Sequence, residues 1–430
     1  MKRILILLAA GACAQAAVFD VRQYGATGDG HNKDTAAIQK AIEACAKGGG
    51  GTVEIPPGRY FIGTILLRSN VTLNVVAGAT LMGSTEPEDY PLVPSPWKDG
   101  AQEIASLIRG ENLEHIAITG RGTIDGQGAA WWKRQRLLRP KGKNPPAATE
   151  ADRREIAKVA HGRPHLIKLV NCKHVLLEGL TLINSPSWTV NPVFSEFVNV
   201  RGLTLQNPAD SPNTDGINPE SCRNVHISEC NIDVGDDCVT IKSGTDEIGR
   251  RVGRDCENIT VTNCTMLHGH GGVVIGSEMS GGAKNVTVSN CVFQGTLRGI
   301  RIKSQRGRGG IVEGVTADNI VMEDVPTPIS ISMYYSGGAG DDRPVPVGEG
   351  TPLFRDISLS NILARGAKLA GEILGLPEMP IQGVTLDNVK IAADKSFVIR
   401  YAKDVAFHRT RISVKSGLPV VQQNVIGFEQ

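Results

Sequence analysis

The chain has 430 residues, which is long enough for one large core or for two domains. Its formal net charge is only +2, too small to favour a nucleic-acid partner. Aromatic residues make up 4% of the chain while glycine contributes 50 residues, so we expect Val, Ile, Leu and Ala to fill the interior.

The first 17 residues have the pattern of an export signal. Residues 1–3 are Met-Lys-Arg, residues 4–10 are apolar, and Ala14-Gln15-Ala16 supplies small residues for cleavage. No other apolar run approaches the ~18 residues that cross a bilayer. We therefore predict a signal peptide over 1–17 and a secreted or periplasmic mature protein without a membrane span. Cys13 leaves a lipid anchor open as an alternative.

Cleavage of the signal peptide would leave an even number of cysteines, which permits disulfides in an exported protein but does not define their pairing. Three of them recur at one position of the repeat described below, where a small apolar residue would serve equally well. The eight are Cys45, Cys172, Cys222, Cys230, Cys238, Cys256, Cys264 and Cys291.

One amphipathic helix is predicted near the start of the mature chain. Asp34 is a suitable N-cap, Ile38, Ile42 and Cys45 share one face, and the glycines at 48–51 end the helix. A single helix before a long β region is suited to covering the open end of a sheet, so we predict a capping helix.

From Val71 onward, short strands alternate with Gly, Asn and Asp, and an apolar pattern repeats. Starts of the repeat are most often 27 residues apart, a period that indicates a solenoid. The apolar positions alternate as in strands, which predicts an all-β, single-stranded right-handed parallel β-helix over 18–430. A β-propeller, with four strands per ~40 residues, is the alternative. Clear copies of the repeat begin at Val175, Val198, Val225, Ile259, Val286, Val315 and Val384.

Two segments interrupt the period. Residues 131–164 are basic and end in a possible short helix, and residues 336–352 are rich in Gly and Pro. Both are predicted to be loop insertions. They could wall the ends of a binding groove or simply decorate the surface.

A second strand of each coil aligns on a serine, at Ser221, Ser243, Ser277 and Ser304. Because side chains alternate along a strand, residues four and two before each serine should point inward and those between them outward. The outward set then places Lys242, Arg301 and Lys303 on one face. Lys242 could instead form an ion pair with Glu220 on the preceding coil.

The same alignment gathers acidic residues. Asp236 and His270 lie seven residues before their serines, and Asp215 and Asp237 lie six before theirs. Stacked coils are ~4.8 Å apart, so these side chains should be close. The glycines around them, such as Gly269 and Gly271, suggest a bend or a close backbone approach. Each Asp alone could be turn chemistry, but a turn role does not explain six polar groups on consecutive coils.

Gathered carboxylates cannot all ionise independently, and this yields an acid and a base at one pH. Hydrolysis of a glycosidic bond needs that division. Arg301 and Lys303 would bind a negatively charged substituent of the sugar. We therefore predict a glycosidase for an acidic polysaccharide.

At these residues the chain resembles the polygalacturonase family of glycoside hydrolases, family 28. Its hallmark motifs NTD, DD, GHG and RIK occur in order, at 213–215, 236–237, 269–271 and 301–303. The resemblance implies inverting hydrolysis of α-1,4 bonds between galacturonate units of polygalacturonate or pectin, an acidic plant cell-wall polysaccharide. Carboxylates ~5 Å apart would ordinarily indicate retention instead.

The resemblance also implies roles for single residues. Asp236 would be the general acid, Asp215 and Asp237 would activate water, and His270 would support the acid. Arg301 and Lys303 would hold the galacturonate carboxylate together with a tyrosine, which is Tyr335 unless Tyr334 takes its place. Apart from the resemblance, we also predict Asn213 and Lys242 as substrate-binding residues, Lys242 because the serine alignment places it on the face of Arg301 and Lys303. No metal and no cofactor is implied, and we expect a monomer.

Residues 268–282 and the two insertions resemble exo-acting bacterial members, which predicts attack from a chain end. Cys264 lies six residues before His270, a departure that puts any family disulfide in doubt. The alternatives are a hydrolase of rhamnogalacturonan or xylogalacturonan, a calcium-dependent pectate lyase, and a non-catalytic polysaccharide-binding or adhesin solenoid.

Overall fold

The computed structural model describes residues 17–139, 148–335 and 343–430. The predicted signal peptide therefore lies outside the described residues except for Ala17. The start of the second predicted insertion, residues 336–342, is also outside them. No helix in the described part of the chain is long and apolar enough to span a membrane.

Strands of consecutive coils pair in parallel and in the register that the repeat predicts. Val175 lies opposite Val198, Val198 opposite Val225, Val225 opposite Ile259 and Ile259 opposite Val286. All five side chains are buried because each coil covers the apolar face of the next. The predicted right-handed parallel β-helix is confirmed, and the propeller alternative is wrong because blades need antiparallel strands.

Three parallel sheets form the sides of the solenoid. The first sheet carries Ile65–Leu66, Ile108–Glu111, Ile167–Val170, Val190–Val193, Val239–Ile241, Val273–Ile275, Arg298–Lys303 and Thr327–Ser332. The second carries Val18–Asp20, Gly51–Ile55, Val71–Val75, Glu114–Gly120, Lys173–Glu178, Glu196–Arg201, Arg223–Ser228 and Cys256–Thr262. The third carries Asp29–Lys33, Gly58–Ile62, Ala79–Gly83, Thr123–Asp125, Thr181–Ile183, Thr204–Gln206, Asn231–Asp233 and Thr265–Leu267.

In the C-terminal coils, further strands of 4 to 22 residues continue the stack. They are Ala283–Gln294, Ile311–Glu323, Leu353–Leu374, Ile381–Asp387, Lys390–His408, Arg411–Val414 and Val420–Glu429. A separate antiparallel hairpin joins Leu92–Pro94 to Gln102–Ile104. Two short 3-10 turns cover Val21–Tyr24 and Pro87–Asp89, and a short helix covers Asp246–Val252.

The core is a continuous column of aliphatic side chains with cysteines built into it. Cys230, Cys264 and Cys291 are buried on successive coils at one repeat position. All eight cysteines of the described residues are free thiols. They therefore act as small apolar core residues in this structure.

The predicted capping helix is present and covers Thr35–Lys47, which we call α1. Ile38, Ile42 and Cys45 are fully buried against the first coils, and the helix ends at Gly48. Asp34 stands at its start, but its carboxylate accepts from the backbone N–H groups of the preceding turn, at Thr27 (2.7 Å) and Gly28 (3.1 Å), instead of capping the helix.

Residues 131–164 were predicted as a loop insertion ending in a possible short helix, and their described part is more helical than that. Helix α3 covers Glu150–Ala157, near the end where the short helix was predicted, whereas helix α2 covers Ala129–Leu138, where a loop was expected. Trp131 is fully buried, with its ring edge-on to Tyr90 at 5.6 Å, and the indole N–H of Trp132 donates to the Ser185 carbonyl at 3.0 Å. These anchors make the insertion a helical pair packed on the solenoid. In the second insertion, residues 343–350 contain no helix or strand, as predicted.

Candidate active site

The outward residues of the first sheet form columns that run along the solenoid. Ile217 lies opposite Val239, Val239 opposite Val273, and Val273 opposite Ile300. This confirms the serine alignment, and all four side chains point into the core. The residues that follow them point outward, so charged groups from separate parts of the chain meet in one furrow.

The three predicted acids meet at the start of these strands. One oxygen from each of Asp215, Asp236 and Asp237 lies within 4.8 Å of the others. The side chains of Asp215 and Asp237 are only 4% and 2% exposed, whereas that of Asp236 is 18% exposed. Asp236 is therefore the carboxylate that a large ligand can reach most easily.

Polar groups surround the carboxylate of Asp215. Its Oδ2 accepts hydrogen bonds from Asn218 Nδ2 (3.1 Å) and Thr240 Oγ1 (3.4 Å), and the ammonium of Lys242 lies 3.8 Å away. Burial raises the pKa of Asp215 to about 7, with Lys242 opposing the rise and the other two acids adding to it. This carboxyl thus keeps its proton to near-neutral pH.

Asp236 forms an ion pair with the imidazole of His270 on the next coil, at 2.9 Å between Oδ1 and Nδ1. Burial acts to raise the pKa of Asp236, but the hydrogen bond and charge of His270 outweigh it and hold that pKa below its usual value. The same hydrogen bond raises the pKa of His270. The pair shares one proton, which resides on the imidazole in the free protein.

Glycine is required where the GHG segment approaches the acids. Gly269 has a φ of +81°, and a Cβ there would lie 2.4 Å from the carbonyl oxygen of Asp236. A Cβ on Gly271 would lie 2.4 Å from Val274 Cγ2 and 3.0 Å from Asp237 Oδ1. The predicted close backbone approach is confirmed, since these contacts allow no larger residue.

Two cations from one strand face Asp237. Lys303 Nζ donates to Asp237 Oδ2 at 2.7 Å, and Arg301 NH1 lies 3.8 Å from Oδ1. Within the described residues, Oδ1 has no hydrogen-bond partner although it is buried. The ring of Tyr335, 44% exposed, lies beside both cations, 5.1 Å from Lys303 Nζ and 5.8 Å from the Arg301 guanidinium carbon. Tyr334 instead contacts Arg400, at 5.2 Å.

Lys242 lies in the floor of the furrow and not on its surface. Its side chain is 4% exposed, its ammonium contacts Glu278 Oε2 at 2.9 Å, and it lies 4.7 Å from the ring centroid of Trp188. The ion pairs within 4 Å are thus with Glu278 and Asp215, and not with the Glu220 partner that the sequence suggested.

Asn213, the remaining predicted residue, is exposed and has a φ of +54°. Its Oδ1 accepts from Arg163 NH2 at 2.8 Å, and Arg163 also donates to the carbonyls of Pro186 and Pro212, both at 2.7 Å. Arg163 thereby ties the end of the helical insertion to the turn that carries Asp215.

Several of these neighbours were not predicted from the sequence. Glu278 directly follows the aligned Ser277, so its place beside Lys242 could have been inferred from the serine alignment. Asn218 was placed outward by the same alignment without a role. Trp188 and Arg163 lie outside the repeats used for alignment, and no pattern pointed to them.

A cavity of about 490 Å³ lies on the N-terminal side of the acids. Arg163, Lys168 and Asn213 line it together with the end of α2. Lys168 lies opposite Asn191, one coil before Asn218, which places the cavity next to the acids along the furrow. The described parts of the helical insertion thus contribute to the wall of the furrow at this end.

The three acids are close enough to share a cation. Two positive charges already lie against them, since Lys303 contacts Asp237 and Lys242 lies 3.8 Å from Asp215. The donor set therefore suits acid–base chemistry with lysine counter-ions.

Comparison with known proteins identifies relatives of this chain. The profile of "Glycosyl hydrolases family 28" matches residues 45–410. A probable polygalacturonase of Vitis vinifera is 34% identical over 379 residues, covering 86% of this chain and 73% of the relative.

Two solved structures are similar over most of their length. A hyperthermoactive exopolygalacturonase from Thermotoga maritima has a TM-score of 0.78 at 30% identity, covering 92% of this chain and 93% of that one. A family 28 exopolygalacturonase of Yersinia enterocolitica has a TM-score of 0.82 at 26% identity, covering 96% and 78%. The chain therefore belongs to glycosyl hydrolases family 28.

Proposed function

We propose that this protein hydrolyses α-1,4 bonds between galacturonate units of polygalacturonate or pectin. The observation that carries the proposal is the gathering of three carboxylates within 4.8 Å beside Arg301 and Lys303 in one furrow. A carboxylate-bearing sugar needs both parts, acids for the glycosidic bond and cations for its own charge. The polygalacturonase names of the relatives support the substrate.

Asp236 is the proton donor in this proposal, with His270 as its proton reservoir. It is the most exposed of the three carboxylates, so a glycosidic oxygen can approach it. The proton on His270 passes along the 2.9 Å hydrogen bond to Asp236 and then to the leaving oxygen. The resemblance alone gave His270 a supporting role, and the raised pKa of His270 supports the role of proton store.

Asp237 activates the water. Its Oδ1 accepts no hydrogen bond from the described residues and is too buried for a sugar to reach, so we assign this open acceptor to the attacking water. Asp215 shares this role only when it is ionised, so its pKa of about 7 sets the acidic limb of activity in this proposal.

We propose inversion at the anomeric carbon. The short spacing of the acids alone would indicate retention, which requires a carboxylate to attack the sugar. Asp215 and Asp237 are nearly inaccessible, so a water must attack in their place. NMR of early products should show the anomer opposite to that of the substrate first, and the same anomer first would overturn inversion.

Arg301 and Lys303 bind the carboxylate of one galacturonate unit, and Tyr335 packs against that unit from the rim. Asn213 lies on the rim at the opposite side of the acids, where its amide can reach a neighbouring unit. Lys242 is part of the binding site only as its floor.

We further propose attack from a chain end. Residues of the helical insertion line the cavity of about 490 Å³ beside the acids, and in this proposal the cavity holds the terminal unit of a chain. Two exopolygalacturonases among the similar structures support this mode. We also propose that the protein is exported, that residues 1–17 are removed, and that the mature protein acts as a monomer.

The test is product analysis over time on de-esterified polygalacturonate with a chelator present, using Asp236→Asn as the inactive control. Galacturonate monomer from the first time point supports chain-end hydrolysis, and a spread of oligomers would overturn the end preference. Unsaturated, ultraviolet-absorbing products would indicate a lyase. Turnover confined to rhamnogalacturonan or xylogalacturonan would show that one of these is the substrate instead. Binding of polysaccharide without any product would show a non-catalytic, polysaccharide-binding solenoid.

A further inference from the structure

Lys242 is buried between two acids and has no open path to a ligand. Its ammonium contacts Glu278 at 2.9 Å and lies 3.8 Å from Asp215, and the ring of Trp188 covers it at 4.7 Å. Its side chain is 4% exposed, less than that of Arg301 at 13%. With Glu278, Asp215 and the Trp188 ring around it, this ammonium has less room for a sugar carboxylate than that of Lys303, which is 8% exposed and pairs with Asp237.

We infer that Lys242 is a positioning residue, whose ammonium, held by Glu278 and covered by Trp188, fixes the orientation and charge of the Asp215 carboxylate without touching the sugar. The inference rests on the proposed function, because it concerns the acidic group of that reaction. It replaces the substrate-binding role that the serine alignment suggested for this lysine.

The geometry around Asp215 supports a fixed orientation. Asn218 and Thr240 both donate to Oδ2, and Lys242 approaches the same oxygen. Asn218 and Thr240 are themselves fully buried. Three groups from two coils thus converge on one oxygen, which leaves Oδ1 as the oxygen that is free to act.

Glu278 holds the ammonium in place. The charge of Lys242 is the largest cause of the lowered pKa of Glu278, about 2, so the pair stays ionised across the working pH range. Other charges also act here. Asp215 interacts electrostatically with Asp236, Asp237, Lys303 and Arg163. Lys242 interacts electrostatically with Asp237, Glu220 and Glu278. Among the cations, Lys242 acts most strongly on Asp215.

An opposite charge within ~4–6 Å typically moves a carboxyl pKa by about 1–3 units. Without Lys242, Asp215 would keep its proton to a higher pH than about 7, because burial and two neighbouring acids would no longer be opposed by this ammonium. The acidic limb of kcat/KM should therefore move upward when this cation is removed.

The experiment compares pH profiles of kcat and KM on an oligogalacturonate. In Lys242→Met we expect the acidic limb of kcat/KM to rise by about 1–3 pH units with KM within about twofold of wild type. Lys242→Arg should keep the acidic limb at the wild-type pH because it keeps the positive charge. Arg109→Met is the matched control, since Arg109 is a buried, doubly paired cation on the same sheet face, and its limb should stay at the wild-type pH.

Loss of Lys242 leaves Glu278 without its partner, so the single variant could fold poorly. The double variant Lys242→Met with Glu278→Gln removes both charges. It should show the same upward shift in the pH of the acidic limb of kcat/KM. A raised KM with an unmoved limb would show that Lys242 binds substrate, and an unmoved limb with unchanged KM would leave it a structural role alone. Either result overturns the inference, whereas inactivity of the wild-type protein on galacturonans would instead overturn the proposed function.

Discussion

Buried charge occurs at two places on the outward face of the first sheet. Upstream, Arg109 contacts Glu103 (3.2 Å) and Glu111 (3.0 Å), and Lys168 contacts Glu103 at 2.7 Å. This upstream cluster alternates positive and negative partners. Around Asp215, three like charges lie within 4.8 Å, and the pKa of one rises to about 7.

The two clusters use the same residue types on the same scaffold, so residue type alone does not separate structure from function. What differs is the order of the charges. Opposite charges in contact neutralise one another, whereas neighbouring acids share protons that can be moved during a reaction. Substitutions in the two clusters should therefore have different consequences.

The largest contrast is expected for Asp236→Asn, which removes the proposed proton donor. Activity should fall by about 10²–10⁴-fold, the typical contribution of general acid catalysis, with an unchanged circular dichroism spectrum. Reducing ends released from polygalacturonate measure the loss. Turnover at the wild-type rate would show that Asp236 is not the general acid. The control Arg109→Met should lose far less activity when equal amounts of folded protein are compared.

Arg301→Met should weaken substrate binding in the catalytic cluster. Loss of a charge-assisted hydrogen bond of about 1.5–3 kcal/mol predicts a fall in kcat/KM of roughly 10–150-fold. The loss should be large on de-esterified substrate and small on methyl-esterified substrate, because only the former carries the charge. Equal losses on both substrates would contradict carboxylate recognition by Arg301.

Stability should respond to charge removal with opposite sign in the two clusters. Glu103→Gln breaks contacts to two buried cations, so we expect it to lower the free energy of unfolding by about 3 kcal/mol. Asp215→Asn removes a carboxyl whose folded pKa is raised to about 7 from 3.8. The stabilising contribution of Asp215 is present below pH ~4 and is lost as pH rises through 7.

Asp215→Asn should therefore gain thermal stability relative to wild type at pH 8 and gain little or none at pH 4. Thermal melts of Asp215→Asn and of the wild-type protein at pH 4 and at pH 8 provide the check. A variant at position 215 that is less stable than wild type at pH 8 would mean that the acid cluster is as well neutralised as the upstream one.

The smallest effect is expected at the rim. Tyr335→Ala removes an exposed ring beside Arg301 and Lys303, a contact worth about 0.5–1 kcal/mol, so KM should rise by about two- to fivefold. Tyr334→Ala is the control, because Tyr334 lies over Arg400. A larger change in KM for Tyr334→Ala than for Tyr335→Ala would show that Tyr334, and not Tyr335, contacts the substrate.

Much of this architecture was predictable because a solenoid repeats. The interval between Val198, Val225 and Ile259 sets which strands stack, and once coils are stacked the serine alignment brings Asp236 next to His270. Local periodicity suffices here, because neighbouring coils differ by one turn of the same pattern. The capping helix followed in the same way from its apolar face and its terminal glycines.

Contacts between the repeats and the segments outside them were decided by tertiary structure. The burial of Trp131, the tether of Arg163 to Asn213 and the cover of Trp188 over Lys242 join residues with no common period. The sequence thus determined which coils stack and which acids meet. Only the folded chain decided how deeply each charge is buried, and burial is the main cause that raises the pKa of Asp215 and hides Lys242 from solvent.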